Sequence, residues 1–252
     1  MLKKRLIAVL IVNGKYVVQS VKFKHTNAIH YDATEAIECF NKWSIDEIII
    51  LNVSRNEETR MEFGKTIENI CKKCFLPVAV GGWITDINYA RELFYKGADK
   101  LILNTAFHSK PALCESLASK FGTQSITASI DVKEENKKTT VWVDRGRINT
   151  KHRPSDWAKR TVELGAGEIF FNSIDHDGAR KGYNLLTLSD ICSSVNVPVI
   201  AFGGVFNWSH LSEGIREGAD AVALANQLHY TEHSARRAKK FLINEGLNVR
   251  NI

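Results

Sequence analysis

The sequence predicts an α/β fold, an eight-stranded parallel barrel with a helix after each strand. Three observations carry that expectation. Short apolar runs alternate with helical patterns of roughly 10 to 16 residues, eight such pairs fit into 252 residues, and no linker or low-complexity segment interrupts them. An open doubly wound sheet is the weaker alternative.

The elements follow in order. The first strand opens near Leu6 in "MLKKRLIAVLIV" and stops at the Asn13-Gly14 turn. Its charged head and apolar run lack a small-residue cleavage site, so it reads as a strand and not as a signal peptide. "NGKYVVQS" then reads as strand–turn–strand, suited to a lid over the C-terminal face. Strands two, three and four open near Glu47, Pro77 and Lys100, and "TDINYARELFYKG" is a helix between the last two. The fifth opens near Ser125 and leads into a second lid, "TTVWVDRGR", followed by the helix "SDWAKRTVELG". Strands six, seven and eight open near Glu168, Val197 and Ala221.

The chain also repeats itself. Glu47 and Glu168, Pro77 and Pro198, and the Gly-Ala-Asp triplets at 97–99 and 218–220 are each 121 positions apart. "VGGWI" (80–84) corresponds to "FGGVF" (202–206). One barrel over residues 1–252, built of stacked halves of about 1–121 and 122–252, is the expectation.

Composition narrows the function classes. No apolar run reaches the roughly 18 to 20 residues that span a bilayer, so no membrane and a cytoplasmic setting are expected. The net charge of +6 is not gathered into basic runs interleaved with aromatics, which argues against nucleic acid and suits phosphorylated metabolites. "ARRAKK" (235–240) is the solvated face of a C-terminal helix. The five cysteines are scattered and odd in number, which excludes a disulfide framework. "CKKC" (71–74) has no second pair or His cluster, so these are structural thiols, and neither metal nor cofactor is expected.

Chemistry in such a barrel sits at the C-terminal ends of strands. That edge holds Ile11, Asn52, Gly81-Gly82 and Asn104-Thr105 in the first half. In the second it holds Asp131, "NSIDHDGARKGYN", Gly203-Gly204 and Asn226-Gln227. A Gly-Gly turn lets backbone N–H groups approach a phosphate, and a following helix N-terminus adds its dipole. Asn104 and Thr105 complete one such site, Asn226 and Gln227 a second, and the pair suits a ligand with a phosphate at each end. Asp131 ends an apolar strand, where a carboxylate is costly unless it faces a pocket, so it is the candidate general acid or base. Ile11, at the matching place in the first half, cannot transfer a proton. At the other end, Arg5, Glu47, Lys100 and Glu168 open strands one, two, four and six. Two charges of each sign can close a ring of salt bridges, against the plainer alternative of four solvated charges.

Over essentially its full length the chain resembles the cyclase subunit of imidazole glycerol phosphate synthase, through "MLKKRLIA", "VAVGGWI", "GADKLILNTA", "ASIDVK", "GAGEIFFNSIDHDG", "KGYN" and "GLNVR". The resemblance implies a half-barrel-duplicated, phosphate-binding (β/α)₈ (TIM) barrel that pairs with a glutaminase. Ammonia would enter the barrel bottom and react with a bis-phosphorylated ribonucleotide at the top. By position, Arg5, Glu47, Lys100 and Glu168 match the family's ammonia gate, Asp131 one catalytic carboxylate, and Asp177 with Gly178 the phosphate loop. The departures are equally local. Ile11 replaces the other catalytic Asp, Gln19 a lid Lys, Asn52 an Asp, Phe202 and Gln227 small hydroxyl residues, and Trp83 a third Gly. The pattern reads as a divergent paralogue with an intact gate and an altered top. The expected role is ammonia delivery for amidination in acetamidino-sugar and surface-polysaccharide synthesis, with a glutaminase and a sugar amidotransferase as partners. The alternatives are a genuine histidine-pathway cyclase, or a non-catalytic scaffold for the glutaminase.

Overall fold

A computed structural model describes residues 3–42, 44–225 and 234–250. Its first half runs β1 (Arg5–Asn13), β2 (Tyr16–Val21), β3 (His25–His30), α1 (Ala33–Lys42), β4 (Glu47–Asn52), α2 (Thr59–Lys73), β5 (Val78–Gly81), α3 (Ile87–Tyr95), β6 (Lys100–Leu103), α4 (Thr105–Ser109) and α5 (Pro111–Phe121). Its second runs β7 (Ile126–Glu135), β8 (Lys138–Val143), β9 (Ile148–Asn149), α6 (Pro154–Glu163), β10 (Glu168–Ser173), α7 (Leu185–Ser194), β11 (Val199–Phe202), α8 (Trp208–Arg216), β12 (Ala221–Leu224) and α9 (Ser234–Asn244).

The order β1-β4-β5-β6-β7-β10-β11-β12 is parallel throughout, and β12 pairs with β1 to close the barrel. Its strands are buried on both faces, which is why "LIAVLIV" and "ITASIDV" read as apolar runs without alternation. The odd members of β1 (Ile7, Val9, Ile11) fill the bore, while Leu6, Ala8 and Leu10 pack under the helices. Two of the strands start later than the prolines that announced them. Pro77 and Pro198 have no N–H for the ladder, and each contributes only its carbonyl, to Ile48 N and Ile169 N at 2.9 Å.

Both lids take the strand–turn–strand form expected of them. β1 turns back into β2, which pairs antiparallel with β3, and β7 runs past the barrel rim to pair antiparallel with β8. Helix α9 is tied to the barrel by Lys239 Nζ on Asp46 Oδ1 at 2.7 Å, while Asp46 Oδ2 accepts from Leu6 N. Among the described residues, no helix is long and apolar enough to cross a membrane and no cluster of His, Cys, Asp or Glu could hold a metal ion.

Candidate active site

The inward residues of each strand define two ends. At the N-terminal mouth, Arg5 donates to Glu47 and to Glu168, both at 2.6 Å, and Lys100 to the same two carboxylates at 2.7 and 2.8 Å. Each cation therefore touches both anions, and the four close into a ring. Thr127 Oγ1 adds a donor to Glu168 at 3.4 Å. Burial pulls the pKa of Arg5 and Lys100 down, Glu168 and Glu47 push it up, and the net for both is upward. Above the ring the bore is lined mainly by apolar side chains, among them Ile7, Val9, Ile49, Ala79, Ile200 and Ala221, with the hydroxyls of Thr127 and Ser129 on β7.

At the C-terminal ends the bore opens into two cavities. The larger, about 540 Å³, takes in Ile11, Asn52, Gly81, Gly82, Asn104, Thr105 and Asp131. The smaller, about 250 Å³, takes in Gln19, Asp177, Gly178, Gly203 and Gly204. Phe202 lines both, its ring stacked on Phe170 at 5.1 Å. Asn226 and Gln227 lie outside the described residues.

Strand register corrects one expectation about the repeat. Ile11 stands opposite Leu51, and Asp131 opposite Asn172, so Ile11 and Asp131 hold corresponding places. Leu51 stands opposite Gly81 but Asn172 opposite Phe202. Gly81 therefore corresponds to Phe202, Gly82 to Gly203 and Trp83 to Gly204, one position away from the match of "VGGWI" with "FGGVF". The 121-position offset is unbroken from Pro77/Pro198 to Gly97/Gly218, and it is the Gly-Gly pair that stands one position later in the second half. Backbone angles follow the corrected pairing, since Gly82 and Trp83 (φ +117° and +57°) match Gly203 and Gly204 (φ +95° and +91°) in being left-handed. A Cβ on Gly82 would lie 2.5 Å from Asn52 O, so the position admits only glycine. Trp83 holds its unfavourable φ while its Nε1 donates to Ser54 O at 3.0 Å.

Asp131 is the buried carboxylate of the larger cavity. It accepts from Asn104 Nδ2 at 3.2 Å, Ser129 Oγ at 3.3 Å and Asn172 Nδ2 at 3.4 Å. Burial pushes its pKa up, the bonds from Asn172 and Ser129 pull it back, the charge of Asp177 adds to the rise, and it settles at about 7. That is the range in which a carboxyl can both take and give a proton near neutral pH. Asp177 is hydrogen-bonded elsewhere. Its carboxylate accepts from Ser20 Oγ at 2.6 Å and Phe23 N at 3.4 Å, holding the first lid down, and its pKa too is raised by burial.

Sequence reasoning placed Asn172 at the edge only as the first residue of "NSIDHDGARKGYN", without a role, and missed Ser129. Their signal was alternation: Asn172 shares its strand face with Glu168 and Phe170, and Ser129 shares one with Asp131. It also missed Arg145, in the second lid, which stacks over Trp83 at 5.5 Å and donates to Ser54 O at 3.4 Å. The thiols of "CKKC" are half-buried, and burial pushes Cys71 up to about 12 and Cys74 upward.

Comparison with known proteins agrees with this architecture. The family described as "Histidine biosynthesis protein" matches residues 5–234. The imidazole glycerol phosphate synthase subunit HisF of Chloroherpeton thalassium is 39% identical over 99% of this chain and 100% of its own length. The subunits of the same name from Chlorobium limicola and Chlorobaculum parvum are each 37% identical with the same coverage. On these matches, end to end across the barrel, the chain belongs to the histidine biosynthesis protein family.

Proposed function

We propose that the chain is the ammonia-accepting barrel subunit of a glutamine-dependent synthase. A phosphorylated substrate binds over the C-terminal strand ends at Gly82, Asn104 and Thr105. Asp131 moves the proton there. A glutaminase docks under the ring of Arg5, Glu47, Lys100 and Glu168. The observation that carries this reading is the path itself, a self-paired charge ring below, a mainly apolar bore, and a carboxyl poised near neutrality above. Neutral ammonia suits such a bore, whereas ammonium would leave water for a wall with few partners. The matching registers of Ile11 with Leu51 and Asp131 with Asn172 support descent of residues 1–121 and 122–252 from one half-barrel. A cytoplasmic setting goes with the same reading.

The reaction we favour is cyclisation in histidine synthesis, which sequence reasoning placed second. The relatives' names support it over sugar amidination. One observation favours the amidination reading with its additional sugar amidotransferase: Ile11, buried at the edge of the larger cavity, stands where the family has its other carboxylate. Supplying the bis-phosphorylated ribonucleotide with excess ammonium at pH 8 bypasses the glutaminase and separates the two. Turnover to imidazole glycerol phosphate supports the cyclase. A folded protein with no turnover in that assay leaves ammonia delivery to another acceptor as the reading.

A further inference from the structure

Asp131 is surrounded by amides in place of a second carboxylate, and the two amides are held differently. Asn104 is pinned at both ends. Its Nδ2 donates to Ser129 O at 3.0 Å as well as to Asp131, and its Oδ1 accepts from Thr105 Oγ1 at 3.3 Å. Asn172 is pinned at one end. Its Nδ2 reaches Asp131 Oδ1 at 3.4 Å, while its Oδ1 is buried without any hydrogen-bond partner in a residue only 3% exposed. Gly203 faces that oxygen, and a Cβ there would lie 2.6 Å from it. The absent side chain leaves the carboxamide room to turn about its broad, two-fold terminal torsion.

The two protonation states of Asp131 need opposite partners. The carboxylate only accepts, so Nδ2 must face it; the acid carries an O–H that must donate, and a buried donor without an acceptor is penalised. Asn104 Oδ1 is already engaged. Asn172 Oδ1 is the unengaged amide acceptor beside the group, and Ser129 Oγ can change roles in place.

We propose that the Asn172 carboxamide turns over with the protonation of Asp131, presenting Nδ2 to the carboxylate and Oδ1 to the acid, so that one carboxyl both takes and returns the proton where Ile11 offers no partner. Asn172 is thus a positioning residue. The balance is one proton, taken from the substrate onto Asp131 Oδ1, held against Asn172 Oδ1, and returned to the substrate as Nδ2 swings back. The neighbours facing Asp131 carry no competing charge. They are Ile11 on β1, Asn104 after β6, Trp142 on β8, Asn172 on β10 and Phe202 on β11. Asp177 is the charged group that acts on it, while Lys24, Arg55, Lys110 and Arg147 line the same cavity with exposed side chains. Asp144 and Arg145, also in that wall, are paired with each other at 3.2 Å. This inference rests on the proposed reading only in placing the reaction at Asp131.

The test is an NMR titration of the full chain, with the Asp131 carboxyl carbon and the Asn172 side-chain amide observed together. Above the Asp131 midpoint, the Asn172 Nδ2 protons should show no contact with Gly203 Hα. Below it, that contact should appear with the same midpoint. Asn172→Leu removes the partner of both protonation states, so it should move the midpoint by less than about half a pH unit, whereas loss of an amide fixed with Nδ2 inward would raise it by about one. Asn172→Thr, whose hydroxyl donates and accepts, should likewise keep the midpoint within about half a unit of the parent. With ammonium as nitrogen source, the pH profile of turnover should move with these midpoints. An amide that keeps one orientation across the titration overturns the proposal, as does a folded Asn172→Leu protein whose midpoint rises by a full unit. If Asn172→Leu does not fold, the titration of the parent protein still decides. A turning amide in a protein without turnover counts against the proposed reaction and leaves the switch standing.

Discussion

Replacing Asp131 with Asn should make the protein's stability less dependent on pH. The folded carboxyl has a pKa of about 7 against an ordinary 3.8. The folded state thus binds this proton more tightly than the unfolded chain does. A group raised in this way contributes fully below the unfolded value and loses its contribution as pH climbs through the folded one. Roughly three pH units at about 1.4 kcal/mol each amount to ~4 kcal/mol in all, of which about 3 kcal/mol is lost between pH 5 and pH 8. The group is fully buried, so solvent screening takes little from that figure. The substituted carboxamide does not titrate, and any fixed cost of its misoriented N–H₂ is the same at both pH values. The stability of Asp131→Asn minus that of the parent should therefore rise by about 3 kcal/mol between pH 5 and pH 8. Urea unfolding with linear extrapolation at both pH values measures it. A difference that stays constant to within about 1 kcal/mol would refute the argument that burial governs this carboxyl.

Four further outcomes are expected. Lys100→Met leaves Glu47 and Glu168 sharing Arg5 alone, and breaking a buried ion network by one member should cost about 3 to 5 kcal/mol in thermal or urea unfolding. In a complex with a glutaminase, the same variant should lose or leak glutamine-derived ammonia while ammonium-driven turnover persists; full coupling would contradict the role of the ring. Inorganic phosphate should occupy the Gly82–Thr105 side of the top before the Gly203–Gly204 side, and Phe202→Ser should strengthen the second site; crystallographic occupancy in the opposite order would count against Phe202 as the obstruction. At pH 8 the thiols of Cys71 and Cys114, pushed up to about 12, and of Cys192, pushed up to about 11, should label slowly with a disulfide reagent and rapidly once urea unfolds the chain. Fast labelling of the folded protein would reopen a redox role for "CKKC".

Much of the barrel was legible because parallel strands buried on both faces leave an unbroken apolar signature, with Glu47 and Lys100 marking the first inward residue of their strands. The same logic exposed Asp131, a charge inside an apolar run. What was not legible depends on register between distant strands. Nothing local says that Asn172 lies beside Asp131, 41 positions earlier, with one oxygen left over. Aligning the Gly-Gly motifs also hid that Phe202, not the first glycine of its pair, takes the place of Gly81; the two pairs sit one position apart in an otherwise constant 121-residue offset. The carboxylate of Asp177, expected at a phosphate loop, lines the smaller cavity and also bonds to Ser20 across the lid, a contact spanning 157 positions that no local pattern announces.

The floor of the barrel holds two full positive and two full negative charges within a few ångströms, each cation shared between both anions. Such an arrangement has no monopole, and opposed pairs around a ring cancel most of their dipole as well, so its potential dies away much faster than that of a lone ion. The chain's +6 must project its long-range field from elsewhere on the surface. An acidic protein approaching this floor would be drawn in by those outlying charges and would sense the ring only on touching it. Added salt should therefore slow the approach of such a partner while leaving the fit at the mouth almost unchanged.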